Sequence, residues 1–157
     1  MMAEIGGMRF FAIILVGLLA TACDEVVHER YADFRAAKDA GAIERGWIPA
    51  FVPKSAYDIH ERHDLDTGAQ ELSFRLPPAD IPAMLSGMER AESDAEAVRR
   101  TVMATDWTPD TLDQTAVYQT CRNGEAAALA VNADTGAAFY RAPVKWRSSP
   151  CPDKQPT

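Results

Sequence analysis

Tyr57-Asp58-Ile59-His60-Glu61-Arg62-His63-Asp64-Leu65-Asp66-Thr67-Gly68-Ala69-Gln70-Glu71-Leu72-Ser73-Phe74-Arg75-Leu76 is the stretch that decides the fold. Leu72, Phe74 and Leu76 alternate with Glu71, Ser73 and Arg75, the period of two that puts one side of a strand inward and the other outward. Tyr57, Ile59, Glu61 and His63 alternate in the same way with Asp58, His60, Arg62 and Asp64. Between the two runs, Leu65-Asp66-Thr67-Gly68 has the short polar side chains and the glycine of a turn. Two strands joined so tightly must be antiparallel.

Working outward, the same grammar returns near the other end. Thr115–Cys121, Ala126–Asn132 and Ala137–Arg141 read as three strands. Asn123-Gly124 is a strong hairpin turn, and Asp134-Thr135-Gly136 is a second one. Helical spacing covers Tyr31–Gly41, with Tyr31, Phe34, Ala37 and Lys38 on one side. Asp80 is positioned to cap a short helix over Ile81–Gly87, and a further helix runs from Ser93 or Asp94 to Ala104. Pro49 and Pro53 forbid a helix interior between them, so Trp47, Ile48 and Phe51 are expected in an extended segment packed on the core. The class is α+β: an antiparallel sheet of about five strands with two or three helices on one face. Each half carries a helix, a Trp-x-Pro, a hairpin and an Asp-Thr-Gly turn, so an internal duplication is one reading. Chance recurrence of short turn motifs is the other.

The N-terminus sets the address. Phe10–Ala20 is uncharged and apolar but shorter than the roughly 20 residues a membrane-spanning helix requires. It has the length of a signal-peptide apolar region, with Arg9 before it. Glu4 is unusual upstream of such a region, which makes Met8 a second candidate for the initiator besides Met1. Leu19-Ala20-Thr21-Ala22-Cys23 resembles the lipobox of bacterial lipoproteins. The resemblance implies a diacylglyceryl group on the Cys23 sulfur, cleavage between Ala22 and Cys23, and acylation of the new amine by a chain such as palmitate. Ala20-Thr21-Ala22 is also a site for ordinary signal peptidase, and that route would release a soluble protein with a free cysteine. Asp24-Glu25 after the cysteine resembles an inner-membrane retention signal. The implied organisation is a signal peptide over 1–22, a lipidated tether over 23–30, one globular domain over 31–151 and a flexible tail over 152–157.

Composition narrows the partners. The 157 residues carry a formal net charge of −7, and removing residues 1–22 takes away Glu4 and Arg9 together and leaves it unchanged. An acidic chain without a basic cluster argues against nucleic acid. Membrane contact is then left to lipid on Cys23. Of the three cysteines, Cys121 and Cys151 remain once Cys23 is assigned to lipid. An exported pair of this kind is expected to be a disulfide. A loop of that length contributes about 3.5 kcal/mol through the unfolded state.

Arg45-Gly46-Trp47-Ile48-Pro49, Pro53-x-Ser55-Ala56-x-Asp58-Ile59 and His63-Asp64-Leu65-Asp66-Thr67 together resemble the YbbD-like head domains of bacterial lipoproteins and membrane proteins, over residues 28–80. The resemblance implies an envelope location and a compact head domain. It carries over no catalytic residue.

Candidate chemistry is sparse. His60, His63, Asp64 and Asp66 form the one polar cluster that could hold a hard cation or another ligand. On a strand, however, His60 and His63 point to opposite faces, and a metal needs converging ligands. Turn hydrogen bonding by Asp64 and Asp66, with both histidines as surface or rim residues, is the preferred reading. Turn chemistry also accounts for both Asp-Thr-Gly triplets better than an aspartic protease does. Trp47 and Trp107 read as packing residues, and Trp146, between Lys145 and Arg147, as an exposed contact. No cofactor and no catalytic group is expected. The leading expectation is a membrane-anchored, periplasm-facing lipoprotein with a non-catalytic head that binds a protein or envelope component. The alternative is a small envelope enzyme or metal-dependent sugar binder that uses His60–Asp66.

Overall fold

The computed structural model describes residues 26–91, 115–145 and 151. Their backbone forms one seven-stranded antiparallel sheet in the order β1-β2-β3-β7-β6-β5-β4. The strands are β1 (Val26–Asp33), β2 (Tyr57–Asp64), β3 (Gln70–Arg75), β4 (Glu89–Arg90), β5 (Ala116–Arg122), β6 (Glu125–Val131) and β7 (Ala137–Ala142). Helix is limited to α1 (Phe34–Asp39) and α2 (Ile81–Met84), the latter preceded by a 3₁₀ turn at Pro78–Asp80. The sheet is therefore larger than the five strands expected, and the described helices are shorter.

Two boundaries differ from expectation for a physical reason. The segment expected as a tether is strand from Val26 onward, and Tyr31 belongs to β1 rather than to the first helix. Val26 and Val27 are β-branched, and β1 is paired along its length, from Val26 opposite Asp64 to Asp33 opposite Tyr57. Helix α1 starts where Asp33 can cap it: the Asp33 carboxylate accepts the Ala36 N–H at 2.8 Å. Asp80 makes no such cap for α2, whose entry is set by the proline-rich 3₁₀ turn instead. The expected helix over Ser93–Ala104, Trp107, Trp146, the signal segment with Ala22 and Cys23, and the tail over 152–157 lie outside the described residues.

One face of the sheet packs Ile59, Leu72, Leu76, Leu129 and Tyr140 against Ala37 of α1, Ile48 and Val52 of the connection that follows, and Ile81 and Met84 of α2. Both described helices sit on this face. The other face gathers Val117, Ala128, Ala130, Phe139 and Val144. Beyond that cluster it is polar, with Glu71 held by Arg62 at 2.9 Å and by Arg141 at 3.6 Å.

The centre of the sheet is a pair of matching hairpins. In β2–β3 the Asp64 carboxylate accepts the N–H groups of Asp66 and Thr67, the Thr67 hydroxyl accepts the Ala69 N–H, and Gly68 N–H donates to Asp64 O. In β6–β7 the Asn132 amide oxygen accepts the N–H groups of Asp134 and Thr135, the Thr135 hydroxyl accepts the Ala137 N–H, and Gly136 N–H donates to Asn132 O. Asp64 thus corresponds to Asn132, Thr67 to Thr135 and Gly68 to Gly136. Strands β3 and β7 meet antiparallel with Leu72 opposite Tyr140, and those two residues hold corresponding places in their hairpins. The hairpins are related by a local two-fold axis at that pair, which supports the duplication reading for this part of the chain.

Candidate functional site

The two-fold relation makes one departure visible. Glu61, His63 and Gln70 stand where the other hairpin places Leu129, Val131 and Ala138, and all six are buried. The backbone accommodates apolar residues at these places, so the fold does not require the polar ones. Burial of polar groups costs free energy unless each finds a partner. Both Glu61 oxygens take a hydrogen bond from His63 Nδ1, at 2.8 and 3.0 Å. Desolvation nevertheless pushes the Glu61 carboxyl above its ordinary range, while the His63 contact pulls the other way. Glu29, paired opposite it on β1, raises it further. Tyr31 donates to the Glu29 carboxylate, and burial together with that bond raises the Tyr31 hydroxyl. Gln70 Nε2 donates to the Trp47 carbonyl, and Gln70 Oε1 is buried without a partner among the described residues.

What this set touches is Trp47. The His63 ring stacks on the indole, centroids 3.6 Å apart and planes 9° from parallel. Trp47 is thereby held twice, by its ring through His63 and by its carbonyl through Gln70. The Arg122 guanidinium, from the end of β5, lies 5.9 Å from the centroid of the same indole and donates to Gly68 O at 2.8 Å. Cation–π geometry of this kind orients a guanidinium as well as attracting it.

Beside Trp47 opens a groove of about 540 Å³. The 43–51 connection forms one wall and the end of β5 with the Asn123 turn forms the other. Ile43, Pro49 and Phe51 supply its accessible apolar surface, Ile48 and Tyr140 are buried in the lining, and the Phe51 and Tyr140 rings lie 5.4 Å apart and tilted by 59°. Burial pushes the Tyr140 hydroxyl up to about 12. Among the described residues, Arg45 and Arg122 are the charged members of the lining and no carboxylate joins them. The turn at Asn123-Gly124 has both residues at positive φ, the geometry a two-residue hairpin asks for. Cys121, in the same wall, is bonded to Cys151 with 5.7 Å between their Cα atoms.

The residues expected to form a site are dispersed. His60 lies on the polar face, 3.0 Å from Asp58, and His63 lies on the opposite face. His63 is 4% exposed and therefore not the surface or rim residue expected. Asp64 is committed to its turn, and the Thr67 and Asp66 N–H groups hold its carboxyl below the ordinary range. Asp66 is exposed in that turn. Among the described residues no group of three or more His, Cys, Asp or Glu could hold a metal ion. Arg122 and Tyr140 were not singled out from the sequence, and Arg45 entered only as part of the Arg45–Pro49 run. The one available signal was the placement of Arg122 immediately before Asn123-Gly124.

Among the described residues no helix is long and apolar enough to cross a membrane. No curated protein and no solved structure matches the chain. A family model does match: the unit formed by β1, the Trp47 connection and the β2–β3 hairpin is similar to the YbbD head domain, over residues 25–75.

Proposed function

We propose that this chain is a lipid-anchored lipoprotein of the bacterial envelope, facing the periplasm, whose non-catalytic head binds an envelope component in the groove beside Trp47. The lipobox-like Leu19–Cys23 segment supports the anchor. The Cys121–Cys151 bond supports an oxidising compartment, and it leaves Cys23 as the remaining cysteine. The observation that carries the binding role is the groove itself, whose lining of guanidinium, amide and ring groups suits recognition. The alternative built on His60–Asp66 gains no support, because its two histidines occupy opposite faces of β2.

Two measurements test this. Intact mass of the membrane-extracted protein should show the mature chain plus acyl mass, lost in Cys23→Ser. An unlipidated mature mass in the wild type would overturn the anchor. A photo-crosslinking residue at Asn123, on the groove rim, should trap an envelope component that the same residue at Ser86 does not. Equal yields from both positions would overturn the groove as the binding site.

A further inference from the structure

We infer that the groove takes a small molecule bearing a carboxylate on a ring-containing body, with Arg122 as the anion contact and Glu61, His63 and Gln70 as positioning residues that act through Trp47. This rests on the reading that the groove is a binding site, and it names the ligand class.

The charge pattern is the first support. In a chain of net charge −7, the groove lining carries two arginines and no acid among the described residues. The arginines are not equivalent. Arg45 is engaged by the Glu29 carboxylate at 3.6 Å and donates to Ala40 O at 2.9 Å. Arg122 spends one N–H on a neutral carbonyl, Gly68 O, and meets no carboxylate among the described residues. A guanidinium carries five N–H donors in a planar fork that matches a carboxylate. The half-buried Phe51, with Ile43 and Pro49 in the same wall, offers an apolar surface on which a ring can lie.

The second support comes from the comparison of the two hairpins. A buried carboxylate, imidazole and carboxamide replace leucine, valine and alanine, and one amide oxygen has no partner among the described residues. Stability alone gives no reason for that exchange. All three groups converge on Trp47, directly or through one another, and Trp47 lies beside Arg122. The exchange therefore fixes an indole that in turn orients the cation at the groove.

The test uses the full-length chain in detergent, with hippurate as probe and its neutral amide, hippuramide, as comparison. Calorimetric titration should find one saturable hippurate site and bind hippuramide at least tenfold more weakly, the scale of a charge-assisted hydrogen bond. Arg122→Gln should abolish that preference while circular dichroism still reports the native fold. The combined variant Glu61→Leu, His63→Val and Gln70→Ala copies what the other hairpin tolerates. It should fold, shift the Trp47 indole N–H resonance, and lose at least fivefold in hippurate affinity while hippuramide affinity holds. Equal affinity for the two probes, no saturable hippurate binding, or full preference in Arg122→Gln overturns the inference. If the Asn123 crosslink survives such a result, the groove stands as a binding site and only the ligand class falls. If the crosslink fails as well, both fall.

Discussion

Gly68 and Gly136 hold the same place in the two matched turns, at φ of 68° and 70°, so replacing each by alanine is an internally controlled experiment. The backbone term is shared: an alanine held in the left-handed region costs about 1–2 kcal/mol. The surroundings differ. A Cβ on Gly68 meets nothing within 4 Å, whereas one on Gly136 falls 1.9 Å from the backbone oxygen of Leu76, when real contacts stay beyond 3.0 Å. Either the turn or the end of β3 must move by roughly 1 Å or more. The bond from Leu76 N–H to Gly136 O, 3.0 Å long, lies directly in the path of that movement. Its loss costs about 1 kcal/mol. The fully buried Leu76 side chain moves with its carbonyl and adds a repacking cost of about 1 kcal/mol. Gly136→Ala should then lose about 3–4 kcal/mol and Gly68→Ala about 1–2 kcal/mol. With a urea m-value of about 1.5 kcal/mol per molar, the midpoints fall by about 2 M and 1 M. Urea unfolding followed by circular dichroism reads both. Equal midpoints for the two variants would refute the close approach at Leu76 and with it the packing of the second turn against β3.

Three further outcomes follow from the same geometry. Asp64 has its carboxyl held below the ordinary 3.8, so its contribution is complete above that value and is lost as pH falls through the lower folded one; Asp64→Asn, which copies Asn132, should keep the turn and flatten the stability profile below pH 4 in urea titrations. Glu61 has the opposite sign: its folded carboxyl holds a proton more tightly than the unfolded one, so stability should rise as pH falls from neutral through its raised range, then level off below the ordinary 4.5, and Glu61→Gln should remove that slope. Cys151→Ser opens a loop with a sequence separation of 30 and should cost about 3.5 kcal/mol, read as a lower urea midpoint that reducing agent reproduces in the wild type.

The parts of this fold that were legible in the sequence are those decided locally. Asn123-Gly124 and the two Asp-Thr-Gly turns specify hairpins within a few residues, and alternation in 70–76 marks the side of β3 that meets the main core, although Glu71 and Ser73 on the side read as outward are buried too. The pairing of β3 with β7 is not of that kind. It joins segments far apart in the chain, in a register that places Leu72 opposite Tyr140 and that no turn between them sets. β1 was hidden for another reason: His28, Glu29 and Arg30 make it polar, and only its pairing to β2 makes it a strand. The site was hidden most of all. A Glu-Arg-His run reads as surface, and nothing in a strand pattern announces that Glu61 will be fully buried. Its meaning appears only beside Leu129, the residue that holds the same position in the matching hairpin.

The start of β1 at Val26 has a mechanical consequence for an anchored protein. With lipid on Cys23, only Asp24 and Glu25 separate the acylated residue from the first strand, and three residue steps span at most about 10 Å. Val26 pairs with Asp64, so the Asp64–Gly68 turn lies at the anchored end of the sheet, and Arg122 reaches Gly68 from the end of β5. Such a head has almost no swing. Anchored in that way, it would ride low on the bilayer with its groove near the lipid surface, and it would sample a thin layer rather than the depth of the compartment. Molecules that diffuse in or along that layer meet it at a high effective concentration, while those in the bulk must come down to it.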